Sequence, residues 1–314
     1  MNAHKVATVL SQKLTVLDGG LATSLEDRGH DLSGALWSAR MLRDNPAELL
    51  AVNLDHANAG AQIISTASYQ VSRRGFVANG LTAADADAAL VASVEISRGA
   101  AEQASAATGR DVLVAASLGP YGAILADGSE YRGDYTISRQ ELLEFHAERL
   151  SVLRGTEPDL LAFETVPSAM EIDVINELLS TDFNSTSAWI SCSAQNSDSI
   201  SDGTSAAHAL AAVTAEAFVA IGFNCIKPEL AQPLLTSIST VRPDLHRIVY
   251  SNGGRTWDAL NRTWLDEGAD HIDASTLEQW HEAGASIIGG CCGLGPAQVR
   301  AVARFVATRG NKSV

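Results

Sequence analysis

A chain of 314 residues of which 46% are hydrophobic has enough apolar material for one large α/β barrel or two average domains. With 22 Lys and Arg against 37 Asp and Glu the net charge is −15, which argues against a nucleic-acid or anionic-membrane surface and for a soluble particle. Four cysteines, two of them adjacent, are too few for a disulfide scaffold, so a reducing cytoplasm is the expected compartment.

No apolar run approaches the roughly 18–20 residues of a membrane span, and the first ten residues lack the apolar segment and cleavage site of a signal peptide. Eight apolar, β-rich runs then follow one another. The first is Leu14-Thr-Val-Leu, ending in Asp18-Gly-Gly. The second is Ala61–Thr66, the third Val112–Gly119, the fourth Asp159–Thr165 and the fifth Ala188–Ser193. Phe218–Cys225, Arg247–Asn252 and Ala285–Gly290 complete the set.

Helical patterns lie between them. Asn45-Pro46 supplies an N-cap and a proline at the first helical position for a helix towards Gly60. Ala83–Ala107 is rich in Ala, Val and Glu, and Ser138-Arg-Gln-Glu141 is a capping box that opens a helix towards Arg154. Ser168–Leu179, Gly203–Ala215, Pro228–Ile238, Thr276–Glu282 and Pro296–Thr308 follow. Near-continuous apolar strands alternating with helices indicate a parallel sheet covered on its outside. Eight such units in about 300 residues fit a single (β/α)8 TIM barrel domain spanning 1–314, with its active site at the C-terminal ends of the strands. Those ends carry Asp18-Gly-Gly, Thr66-Ala-Ser-Tyr69, Gly119-Pro-Tyr121, Glu164-Thr, Cys192, Asn224-Cys225, Asn252-Gly-Gly and Cys291-Cys292.

The last of these ends is the most informative. Neighbouring residues of a regular strand point to opposite faces, so the sulfurs of Cys291 and Cys292 converge only if the backbone leaves strand geometry. Gly289, Gly290 and Gly293 are expected to make that departure cheap. With Cys225 at the end of the sixth run, three soft ligands from two strands suggest a zinc site of catalytic type, its fourth position open. Cys192, inside an apolar strand, reads as a core thiol. Two other readings compete with zinc. The adjacent pair could form a vicinal disulfide in a thiol redox sensor, or the glycine-rich turn could cradle a phosphate. A lyase or aldolase would need a Schiff-base lysine, for which Lys227 is the only near candidate.

Gly222-Phe-Asn-Cys225 and Gly289-Gly-Cys-Cys-Gly293 together resemble the homocysteine S-methyltransferase family. Asp18-Gly-Gly, Thr66 with Tyr69-Gln70, Ser117-Leu-Gly-Pro-Tyr-Gly and Phe163-Glu-Thr agree with it, and the likeness covers nearly the whole chain. The resemblance implies zinc-dependent transfer of a methyl group to the thiol of homocysteine, giving methionine. It implies that Cys225, Cys291 and Cys292 hold Zn2+ and that Asp18 and Glu164 bind the amino group of homocysteine. Thr66 and the backbone around Gly19 would place its carboxylate end, and Asn224 is a candidate for the fourth zinc position when substrate is absent.

The chain is compact, without the dimerisation arm of the betaine enzyme or folate and cobalamin modules. It therefore looks most like the branch using S-methylmethionine, which often accepts S-adenosylmethionine too. A betaine donor, or a selenohomocysteine or selenocysteine acceptor, is the alternative. The expected partners are these small molecules, with no nucleic acid or membrane and with monomer and homodimer both open. Tyr69, Tyr121, Asn252, Trp257, Trp264 and Trp280 are candidates for either the donor pocket or plain packing. Donor specificity is expected in the loops Leu125–Tyr135 and Gly253–Asp273.

Overall fold

Each apolar run contains a strand of one sheet in the computed structural model, which describes residues 2–32, 36–254, 257–258, 263–264 and 271–310. The strands are β1 Thr15–Val16, β2 Ile63–Ser65, β3 Leu113–Leu118, β4 Leu160–Val166, β5 Ala188–Cys192, β6 Phe218–Asn224, β7 His246–Ser251 and β8 Ala285–Gly290. All neighbouring pairs are parallel, in the order β1-β8-β7-β6-β5-β4-β3-β2. The ring closes between β1 and β2 through a Leu17–Ile63 bridge. There Gln62 N–H donates to Val16 O at 2.8 Å and Asp18 N–H to Ile63 O at 3.1 Å. The (β/α)8 barrel read from the alternation of runs is therefore the architecture observed.

Burial on both faces explains why the runs are apolar throughout. Leu17, Ile63, Leu113, Leu160, Trp189, Ile248 and Ile287 fill the barrel interior. Their neighbours in sequence, such as Ile64, Val114, Leu161, Ile190, Val249 and Ile288, pack outward under the helices. Those helices include Pro46–Ala59, Ala83–Thr108, Arg139–Arg154, Ala169–Thr181, Pro228–Ser237, Ala274–Glu282 and Pro296–Gly310. The capping box at Ser138 is formed, and a second stands at Thr82 with Asp85.

Three expectations change. The helix expected over Gly203–Ala215 is confined to Ala206–Ala211. The opening residues, to which no element was assigned, form a helix, Asn2–Leu10, whose Val6, Val9 and Leu10 join the interior cluster. Lys5 Nζ donates to Val112 O at 2.7 Å, at the start of β3, so this helix plugs the end of the barrel opposite the rim. Short helices also occupy the βα loops at Leu21–Glu26, Arg73–Ala78 and Tyr121–Leu125. Segments this short carry too few turns for a periodic apolar pattern to show.

Most of the Gly253–Asp273 loop, with the side chains of Trp257 and Trp264, lies outside the described residues; Trp257–Asp258 pairs antiparallel with Thr263–Trp264. Trp280 is wholly buried in the outer layer, which makes it a packing residue. Among the described residues no helix is long and apolar enough to cross a membrane.

Candidate active site

Two strand ends bring three sulfurs together. At the end of β6 the chain turns at Cys225, whose φ of +48° is rare for a residue with a Cβ. The turn is anchored because Cys225 N–H still donates to Tyr250 O on β7 at 3.0 Å. At the end of β8, Cys291 N–H donates to Ser251 O and Gly253 N–H donates to Cys292 O, both at 2.8 Å.

The glycines act differently from expectation. Gly289 and Gly290 remain in the strand, and within Gly289–Gly293 only Gly293 takes a left-handed φ, +80°. Gly289 is needed for close approach instead: a Cβ there would lie 2.7 Å from Asp18 O and 2.8 Å from Leu17 Cβ. The same pressure acts from the other side, where a Cβ on Gly20 would lie 2.6 Å from Cys291 O. The Asp18-Gly-Gly turn and the cysteine loop are thus pressed backbone to backbone.

The Sγ atoms of Cys225, Cys291 and Cys292 all lie within 4.8 Å of one another. Cys225 and Cys291 are joined as a disulfide, and Cys292 remains a thiol. This corrects the vicinal-disulfide reading, since the bonded pair joins β6 to β8. The Cys292 Sγ stands 3.7 Å from that of Cys225 and 4.0 Å from that of Cys291. In a tetrahedral zinc site with Zn–S bonds near 2.3 Å, sulfurs are about 3.8 Å apart. Those two spacings fit such a site; the third requires the disulfide to be reduced. Burial, followed by the charges of Glu26, Glu130 and Glu164, pushes the Cys292 thiol up to about 12. A divalent cation would reverse that preference. The donor set and its surroundings therefore suit a borderline-soft metal ion.

The sulfurs face a cavity of about 710 Å³, whose lining includes Asp18, Gly19, Thr66, Tyr69, Glu164 and the three cysteines. Asp18 ends β1, and its carboxylate accepts from Ser65 N–H at 2.5 Å and Ser65 Oγ at 3.2 Å. Burial nonetheless pushes its carboxyl up to about 7, with the charge of Glu164 adding to the effect. Glu164 sits in a bulge of β4, where the step from Phe163 to Val166 matches only the step from Ile190 to Cys192 on β5. Such a bulge re-aims a side chain at a barrel rim. Ser117 Oγ donates to one carboxylate oxygen and Tyr250 Oη, at 2.9 Å, to the other. Burial raises this carboxyl too, against those two hydrogen bonds. No described lining residue is basic. A buried acid, Asp18, and a half-buried one, Glu164, facing one cavity without a base suit a cationic ligand.

Thr66 Oγ1 accepts from Ser117 N–H at 3.0 Å and contacts Ser68 Oγ at 2.6 Å, so its hydroxyl also braces the rim. Asn224 also lines the cavity, and its amide is hydrogen-bonded across the rim. Its Oδ1 accepts from Thr165 N–H at 2.6 Å and its Nδ2 donates to Thr165 Oγ1 at 2.8 Å. Both ends of the amide thus engage Thr165, itself at φ +62°, which ties Asn224 to the β4 bulge. Asn224→Ala would leave the buried Thr165 N–H unsatisfied, at a cost of about 1–3 kcal/mol. Denaturant unfolding should show that loss, and steady-state assay should show a fall in kcat/KM as Glu164 loses its support.

Tyr121 packs edge-on against Phe145 and at a tilt against Tyr135 rather than lining the cavity. Asn252 Oδ1 caps the N–H of Gly254 at 2.9 Å. Cys192 is a buried thiol of the outer layer, as expected of a core residue. Ser65 and Tyr250 line the cavity without having been singled out, and so do Ser117, quoted only as part of a motif, and Tyr131, named only through its loop. Tyr250 was the nearest to legible, because its two-residue offset from Ile248 puts it on the inner face of β7.

The homocysteine S-methyltransferase family model matches residues 15–306. The chain is 43% identical to a homocysteine S-methyltransferase of Escherichia coli (strain K12) over 300 residues, 93% of this chain and 94% of that one. It is 37% identical to a selenocysteine Se-methyltransferase of Brassica oleracea var. italica, covering 94% of this chain and 89% of that one. The homocysteine methyltransferase MmuM from Escherichia coli superposes in its metallated form with a TM-score of 0.86 at 39% identity, over 96% of this chain and 99% of that one. Its oxidized form gives 0.84 at 40% identity, over 96% and 98%.

Proposed function

The chain belongs to the homocysteine S-methyltransferase family, and from that premise we propose that it is a zinc enzyme methylating L-homocysteine from a sulfonium donor, S-methylmethionine or S-adenosylmethionine. Supporting this reading above all is the convergence of three sulfurs within 4.8 Å on the cavity that also holds the carboxylates of Asp18 and Glu164. Cys225, Cys291 and Cys292, once reduced, are the zinc ligands. Bound Zn2+ supplies the positive charge that lets a thiol of ordinary pKa near 8.5 lose its proton at neutral pH.

The residues of the chain do the rest. Asp18 and Glu164 hold the ammonium group of homocysteine, and Thr66 with the backbone at Gly19 places its carboxylate end. Asn224 keeps the Glu164–Thr165 bulge in shape. The thiol proton leaves to solvent, and the sulfur electron pair forms the new S–CH3 bond. As the donor's S–CH3 bond breaks, its electrons return to the donor sulfur and the sulfonium becomes a neutral thioether. Because positive charge disappears at the donor, alignment of the two sulfurs and exclusion of water are the main catalytic tasks. Direct transfer of this kind inverts a chiral methyl group. We read residues 1–314 as one such domain, working in the cytoplasm on small molecules.

The test is an assay of methionine formation by reduced, zinc-loaded protein with S-methylmethionine, S-adenosylmethionine and betaine in turn, and with selenocysteine as a competing acceptor. Product from homocysteine with a sulfonium donor is expected. Product with betaine alone would overturn the donor assignment, and preference for selenocysteine would overturn the acceptor.

A further inference from the structure

The side chain of Tyr250 crosses the barrel interior from β7 towards β5 and β4, where its hydroxyl meets three partners. It donates to Glu164 at 2.9 Å, accepts from Trp189 Nε1 at 3.1 Å and contacts Ser191 Oγ at 2.6 Å. Tyr250 is 3% exposed and Trp189 1%. Tyr250 lines the cavity, but neither Trp189 nor Ser191 does. The strand between β5 and β7 leaves the way open. There β6 sets Ala220 and Gly222 in register beside Trp189 and Ser191. Those two positions share a face of the strand, and a methyl group and a hydrogen leave room for the ring to cross.

Hydrogen-bond chemistry gives these contacts a direction. An indole N–H only donates, so one acceptor site of the Tyr250 oxygen is taken by Trp189. A carboxylate only accepts, so the single phenolic proton goes to Glu164 and Ser191 donates to Tyr250. Two donors on the Tyr250 oxygen polarise its O–H and strengthen the bond it gives. That bond is also charge-assisted, and such bonds are about twice as strong as neutral ones. With Ser117 on the other oxygen, both oxygens of Glu164 are fixed and the plane of its carboxylate is set before a ligand arrives. The same two hydrogen bonds oppose the rise that burial imposes on this carboxyl.

We propose that Tyr250, oriented by Trp189 and Ser191, is a positioning residue for the acceptor, aiming the Glu164 carboxylate at the ammonium group of homocysteine. This rests on the acceptor reading above. A long, flexible acid would otherwise be ordered anew at each binding event. Fixing it beforehand turns that ordering cost into affinity, and into selectivity for a ligand with an amino group.

Calorimetry on reduced, zinc-loaded protein reads this role as a ratio. Homocysteine is compared with 4-mercaptobutanoate, which has the same thiol and carboxylate but no amino group. The parent should prefer homocysteine, and Tyr250→Phe should lose about tenfold of that preference, the worth of one hydrogen bond to a charged group. Trp189→Phe, which alters a side chain outside the cavity lining, should lose a smaller part. Because both ligands are measured on one protein, a general loss of folded or metal-loaded protein cancels. Glu164→Gln separates aiming from direct contact. In that background Tyr250→Phe should change the preference by less than about twofold. A parent with no preference for homocysteine would overturn the ammonium reading and this role with it. A parent that prefers homocysteine and a Tyr250→Phe variant that keeps the preference would overturn the role of Tyr250 alone. An undiminished loss in the Glu164→Gln background would mean that Tyr250 meets the ammonium itself, and would overturn positioning through Glu164. Full preference in Trp189→Phe would remove the indole from the relay.

Discussion

Cys292→Ala is expected to abolish zinc binding and methyl transfer together. Cys292 is the thiol placed 3.7 and 4.0 Å from its two partners, so its loss leaves two sulfurs and no way to complete a three-thiolate set. Loss of an outer-shell partner of a metal costs about 10–100-fold, and loss of a ligand should exceed that. The reduced parent should take up about one zinc per chain, measured by metal analysis, and the variant close to none. The parent also supplies its own control. While Cys225 and Cys291 are joined, two of the three thiolates are missing, so oxidised protein should neither load zinc nor methylate, and a thiol reductant should restore both. Metal-free protein that turns over at the parent rate would defeat the zinc reading.

Glu164→Gln should raise the KM for homocysteine about 30-fold or more, the effect of removing one partner from a buried charge pair worth about 2–5 kcal/mol. The substitution keeps the shape of the side chain; Ser117 and Tyr250 donate to different oxygens, so one keeps donating to the amide oxygen while the hydroxyl of the other turns to accept from the new NH2 group. Fold and metal content should therefore stay unchanged while affinity falls. Asp18 should impose a pH dependence on the same step. Its carboxyl is raised to about 7, so homocysteine affinity should fall as pH drops through that value and the carboxylate takes up a proton. In Asp18→Asn this contribution disappears, and the ratio of KM values between variant and parent should shrink from about pH 8 to pH 6. The sign for stability is the reverse. The folded state holds a proton that the unfolded chain releases above the ordinary carboxyl range, so Asp18 destabilises the free protein progressively as pH rises towards about 7. Thermal unfolding of metal-free parent and variant should show that crossing trend. A KM ratio that does not change with pH would remove Asp18 from ammonium binding.

How much of the site was legible depends on the chemistry of each residue. Cys225, Cys291 and Cys292 stood out because thiols are rare and their strand ends were visible as breaks in apolar runs. Glu164 stood out because a carboxylate closing an apolar strand needs a partner. Asn224 was legible as a rim residue, but not its bond to Thr165, a local neighbour of Glu164 that is 59 positions away in the chain.

The sequence by itself determined the barrel and the ring of polar strand ends, because a periodic pattern of apolar runs and caps is a local property that each segment carries alone. It also determined that the sulfurs belong to two strands. Only the tertiary structure decided which sulfurs pair, why Gly289 must be glycine, what Asn224 holds and which acids face the cavity. Those outcomes depend on distances between segments far apart in the chain, set by closure of the barrel and by β1 pressing on β8, and no single stretch of sequence encodes them.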